Sequence, residues 1–264
     1  MECDKITARE FSAHCKAHGF SQRGKVFTRC IGDGIFQVIS AEHRQYMDIS
    51  APEYTSKNRK SISIAFNLWS MYTNLPDYFF SEGKYLGYWG PEFLIGQHPN
   101  KTPFMGVQSH YCIMIERGLD FLDSINTQKK LIDAIIKLET FECGSPLFHR
   151  VELCEPFIIC EEYQEAIYRL NGMIMQNYSA FHSNCDHLKC EGNLDEYVRR
   201  LDEYYAKIKP MENLSWACIL NKKDKILEWL KSNFYRNYQL AKENKIAFSD
   251  DFKPINFEKI FKSK

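Results

Sequence analysis

The stretch from Ser61 to Trp69 limits the fold of this chain more than any other. Ile62, Ile64, Phe66 and Leu68 alternate with Ser61, Ser63, Ala65 and Asn67. A period of two puts the apolar set on one face of a strand and the polar set on the other, as an antiparallel sheet with one covered face requires. Upstream, Val26 to Ile31 and Ile35 to Glu42 flank Gly32-Asp33-Gly34, which predicts a hairpin. A helix is predicted ahead of them over roughly 4–18. Ala8, Phe11 and Cys15 share one face of it, with Gly19 as a left-handed cap and Phe20 as the apolar contact after it. His43 to Arg59 is polar, carries Pro52 and reads as a loop.

Beyond residue 106 the apolar period becomes helical. Val107, Tyr111 and Met114 share a face that Gly118 is expected to close. Thr127 is placed to cap a helix with Leu131, Ile132, Ile135, Ile136 and Leu138 on its inner side. A third helix runs from about 161 to 179 through Tyr163, Ile167, Leu170, Ile174 and Tyr178. Asn193 and Glu196 resemble a capping box for a fourth that buries Leu194, Val198, Leu201 and Tyr205. A fifth begins near Lys222 and carries Ile226, Leu230, Phe234 and Tyr238. The order predicts an α+β fold: an N-terminal helix and a small antiparallel sheet, followed by a mostly α-helical C-terminal half. Gly144, Pro146 and Pro156 interrupt the pattern, dividing an α+β region, 1–140, from a helical region, 141–264, packed on it as one unit.

Composition narrows the function classes. Lys+Arg and Asp+Glu are both 34, so no net field gathers nucleic acid. A local basic group is formed by Lys16, Arg23, Lys25 and Arg29, with Phe20 and Phe27 interleaved. Lys222, Lys223, Lys225, Lys231 and Arg236 are mixed with Asp224 and Glu228, which reads as a solvated face. No apolar run approaches the roughly 20 residues of a membrane helix. The start, Met1-Glu2-Cys3-Asp4-Lys5, has no leader pattern, so the ten cysteines are expected to be free thiols in a cytoplasmic protein.

The N-terminal motifs Gly19-Phe20, Gly24-Lys25-Val26-Phe27-Thr28-Arg29, Val38-Ile39 and Ile62-Ser63-Ile64-Ala65-Phe66-Asn67-Leu68 resemble the bacterial family called domain of unknown function 4304. Gly118-Leu119-Asp120-Phe121-Leu122 before Thr127 and Leu131 fits the same layout, so the likeness covers about the first 140 residues. Ser40-Ala41-Glu42 stands where many members carry a Gln soon after the Val-Ile pair. The resemblance implies the α+β fold and brings no activity with it.

Two constellations are candidates for chemistry. His182, Cys185, His187 and Cys190 offer four nitrogen and sulfur donors at a spacing that suits zinc, with Cys143, Cys154 or Cys160 as recruits from elsewhere. The plainer reading is a surface loop between two helices. Cys185 with His182 or His187 also forms a conceivable nucleophilic pair, although spacing shows neither a lowered pKa nor an orienting partner. Between Leu75 and Phe104, prolines and glycines alternate with aromatics. Tyr85, Tyr88, Trp89 and Phe93, with Glu92, Gln97 and His98, are expected to form a ligand or partner surface or to roof the sheet. Phosphate-loop, dinucleotide, nucleophile-elbow and zincin motifs are missing from the sequence.

Three functions follow. The chain is a protein-interaction module with an immunity or regulatory role, or a small-molecule binder or enzyme with a pocket between sheet and helices, or a zinc-stabilised structural protein.

Overall fold

The computed structural model describes residues 6–45, 60–81, 107–141 and 153–258, with the single residues 90, 94 and 260. Helix α1 (Ala8–Ala17) starts with a capping box between Thr7 and Glu10 and buries Phe11 and Cys15. Gly19 ends it at φ +81. The chain then forms β1 (Ser21–Arg23), β2 (Val26–Ile31), β3 (Ile35–Gln45) and β4 (Lys60–Ser70), an antiparallel meander in that order. The Gly-Asp-Gly turn is imposed by a neighbour as well as by its backbone. At Gly32, with φ +52, a Cβ would stand 1.8 Å from the Asn126 carbonyl oxygen, which accepts the Asp33 N–H at 2.9 Å. Only glycine fits there.

His43 to Gln45, expected to open a loop, belong to β3 instead, with Gln45 paired to Lys60; the rest of that expected loop, 46–59, lies outside the described residues. The polar face of β4 is also not solvated. Ala65, Asn67 and Trp69 are buried, as is Ser40 on β3. Cross-strand register places Phe36 beside Trp69 on this face. Helix α2 (Tyr78–Ser81) covers them, with Phe80 stacked on Phe36 at 5.1 Å and Phe79 against Trp69 at 5.0 Å. The opposite face meets α1 through Phe11–Phe27 and the next helices through Phe66–Phe121.

Those helices are α3 (Val107–Ile113), α4 (Leu119–Ser124) and α5 (Gln128–Phe141). Gly118, expected to close a helix, instead sits in a π-turn, Met114–Gly118, that joins α3 to α4. A Cβ there would lie 2.6 Å from the Met114 sulfur. On α5, Leu131, Ile132, Ile135 and Leu138 are buried, while Ile136 is exposed. A short α6 (Glu155–Ile159) leads into α7 (Tyr163–Cys190), α8 (Leu194–Ile219) and α9 (Lys223–Glu243).

Helix α9 joins the two halves. Asn237 donates to the Met71 and Thr73 carbonyls at 2.9 and 2.6 Å, and Asn233 donates to the Tyr72 carbonyl at 3.0 Å. The Tyr72 ring stacks on Phe234, and its hydroxyl accepts the Ile255 N–H. A two-residue β5 (Ala247–Phe248) then pairs in parallel with β2, so the sheet is antiparallel with one short parallel addition. One hydrophobic cluster contains Phe11, Phe27, Leu131, Phe157, Leu230 and Phe234, members from both halves.

No helix among the described residues is long and apolar enough to cross a membrane. Cys112 is disulfide-bonded, which corrects the expectation of free thiols throughout; Cys15, Cys30, Cys154, Cys160, Cys185, Cys190 and Cys218 are free.

Candidate functional site

The residues singled out by sequence go to different places. Tyr85, Tyr88, Trp89, Glu92, Phe93, Gln97 and His98 lie outside the described residues. His182, Cys185, His187 and Cys190 stand on the last turns of α7, where a loop was expected. At about 100° per residue they spread over more than half of the helix circumference, so α7 does not bring them together. His182 Nδ1 lies 3.1 Å from Asp186 instead, and Cys185 is buried.

The basic group at the N-terminus is partly internal. Arg29 is buried, with its guanidinium 4.2 Å from the Phe20 ring centroid. It donates to Gln37 Oε1, to the His18 carbonyl and to Asp123 Oδ1, the last at 2.5 Å. Burial lowers its pKa and Asp123 opposes that shift. Phe20 and Phe27 are buried and offer no stacking platform. His18, Asp120 and Asp123 have ligand atoms within 4.8 Å of one another, as a metal site would. However, Asp123 already faces Arg29 and His18 Nδ1, the latter at 2.7 Å. A fixed cation against the carboxylate opposes a second positive charge. This cluster holds α1, β2, β3 and α4 together.

The most distinctive surface is on α8. Sequence periodicity placed Leu194, Val198 and Tyr205 in the core, but they are 60%, 53% and 58% exposed. The face that packs on other elements instead carries Ile208, Leu214, Ala217 and Cys218. The expected capping box is also missing. Asn193 makes no side-chain cap bond, and Glu196 is held by Arg199 and Arg200, which push its pKa down to about 2. Helical spacing continues the exposed stripe from Val198 and Tyr205 to Trp216 and Leu220. Trp216 is 60% exposed.

This stripe becomes one wall of an open groove of about 940 Å³ between α8 and α9. Leu214, Ala217 and Trp229 form the apolar floor, with Tyr205, Trp216 and Leu220 beside it. Lys209, Lys222, Lys225 and Glu228 supply the charges. Pro210 lines it too, and proline has no N–H to offer the carbonyl of Ala206, another lining residue.

Beneath the floor lies a buried carboxyl. Glu155 accepts from Trp229 Nε1 and from Thr73 Oγ1, both at 3.1 Å. Burial raises its pKa against these donors. Cys154 beside it and Cys218 nearby are raised by the same desolvation, Cys218 to about 12. Raised thiols are poor nucleophiles at neutral pH. The group therefore anchors the groove floor and does not offer reactive sulfur. A polar cluster of another kind lies on the α2-covered face of the sheet. Ser40 Oγ, Asn67 Nδ2 and Trp69 Nε1 are buried and have no hydrogen-bond partner among the described residues.

Comparison with known proteins adds no relative: no family model, curated protein or solved structure matches the chain. Trp216, Trp229 and Glu155 were not anticipated from sequence. The available signal was the apolar content of α8 on two faces, when a helix in a monomer's surface layer needs one.

Proposed function

We propose that this chain is a protein-interaction module whose partner docks on the α8–α9 groove. One observation carries the reading: Trp216 stands 60% exposed at the edge of an apolar groove. Tryptophan is the residue most enriched at binding hot spots, and large exposed apolar patches mark interaction sites. An immunity or regulatory role belongs to this reading. The seven free cysteines among the described residues support a cytoplasmic setting, and the Cys112 bridge stands against it. The test is site-specific photo-crosslinking in the source cell from position 216, with position 191 in the turn between α7 and α8 as control. A partner captured only from position 216, and bound in purified form by the native chain but not by Trp216→Ala, supports the reading. Equal capture from both positions, or binding indifferent to Trp216→Ala, overturns it.

A second reading, small-molecule binding over the sheet, is favoured by Ser40, Asn67 and Trp69. Each unpaired buried polar group costs about 1–3 kcal/mol, so a ligand with oxygen acceptors would relieve the amide and indole donors. Native mass spectrometry of purified protein tests it. A co-purifying small molecule lost in Asn67→Leu supports the reading, and identical bare masses for both forms reject it.

A further inference from the structure

We infer that the occupant of the α8–α9 groove is an acidic amphipathic α-helix of a partner protein, an inference that rests on the docking reading above. The shape comes from the walls. Both are helices, whose backbone N–H and C=O groups are used internally. The carbonyl of Ala206, freed by Pro210, is a single acceptor and not the repeating ladder that an added strand needs. An extended segment would leave its own backbone unpaired against these walls. A helix satisfies its backbone internally and presents side chains alone. The groove follows α8 from Tyr205 to Leu220, which is about 22 Å of helix axis and room for four turns of a ligand helix. Leu214, Ala217 and Trp229 below, with Tyr205, Trp216 and Leu220 alongside, suit apolar side chains at i, i+3 or i+4, and i+7.

The sign of the partner's charge comes from the rim. Lys225 is paired with Glu228 at 2.9 Å. Lys209 and Lys222 make no ion pair among the described residues, and three lysines against one glutamate leave the lining with net positive charge. Carboxylates flanking the apolar face of the incoming helix would meet them. Basic flanks would be repelled, which makes the lysines a selector of partner as well as a contact.

The test uses the full chain and two fluorescein-labelled helical peptides of about 18 residues. Both carry the same leucine pattern, one with glutamate flanks and one with lysine flanks. Fluorescence anisotropy is expected to show the acidic peptide binding about tenfold tighter or better, with the gap closing as salt is raised. The double variant Lys209→Glu/Lys222→Glu is expected to invert the preference. Trp216→Ala is expected to weaken both peptides by about tenfold or more. Circular dichroism confirms that each variant is folded. Equal binding of the two peptides, unchanged by the double variant, overturns the acidic selection while docking at Trp216 stands. Failure of both peptides, with a partner still captured from position 216, overturns the helical occupant alone. Trp216-dependent self-association, or Trp216-dependent binding to phosphatidylserine vesicles without peptide binding, replaces the partner helix with a second copy or a membrane surface and overturns the inference.

Discussion

The indole N–H of Trp229 donates to the carboxyl of Glu155 at 3.1 Å, so the floor of the surface groove is pinned to an acid in the core. Burial raises the pKa of that acid above 4.5, its ordinary value. Between the unfolded and folded pKa values the folded state therefore binds more of this proton than the unfolded chain does. Its contribution is fully favourable below the unfolded pKa and is lost as pH rises toward the folded one. Glu155→Gln keeps an acceptor for the Trp229 indole, places its amide beside the Thr73 hydroxyl and does not titrate. The stability of Glu155→Gln relative to the native chain is expected to increase as pH rises from 4 toward 8, measured by urea unfolding. A pH-independent difference would contradict the raised pKa of the buried Glu155.

Asn237 accounts for much of the junction between sheet and C-terminal helices. Its amide bridges the carbonyls of Met71 and Thr73, and its own side chain is buried. Asn237→Ala leaves both carbonyls without this donor and opens a small cavity. A loss of about 2–4 kcal/mol in unfolding free energy is expected. Arg236→Ala, which removes partly exposed contacts to Asn74, Leu75 and Asp77, is expected to cost less in the same assay.

Gly32 is a backbone requirement with a steric one added. Gly32→Ala meets the Asn126 carbonyl and is strained at φ +52. A loss of about 3 kcal/mol or more is expected, read as a fall in Tm by circular dichroism. Gly24→Ala, with φ +60 and open space around it, isolates the backbone contribution and is expected to fall less.

Asp123 neutralises the buried Arg29. Asp123→Ala leaves the buried cation without its carboxylate; because Asp123 is itself 40% exposed, the loss is smaller than the roughly 3–5 kcal/mol of a fully buried pair. Equilibrium unfolding is expected to show a loss of about 1–3 kcal/mol. Arg29→Met with Asp123→Ala together is expected to recover part of it, because the desolvated cation is gone.

Trp216 and Trp229 share the groove but differ in role. Trp216→Ala is expected to change stability by less than about 0.5 kcal/mol, since its side chain is largely in water. Trp229→Phe removes a donor to buried Glu155 and is expected to cost about 1–3 kcal/mol. Thermal melts that place the two in the opposite order would refute the assignment of Trp216 to binding.

The sequence by itself determined the fold class and several of its elements. Alternation over Ile62 to Leu68, the Gly32-Asp33-Gly34 turn and the left-handed Gly19 are local signals, because strand period and positive φ are properties of a few consecutive residues. They were legible without the fold. The tertiary structure decided which faces are covered. The polar side of β4 is buried because α2 and its phenylalanines return across it, and no pattern within β4 announces that return. The 182–190 segment is helix because α7 continues until it turns at Gly192, a left-handed position at φ +75. On α8, Leu194, Val198 and Tyr205 have the spacing of a core face. They remain exposed because α7 packs on a different side of the same helix. A helix's period reports that it has an apolar stripe, and only its neighbours settle whether that stripe is core or groove.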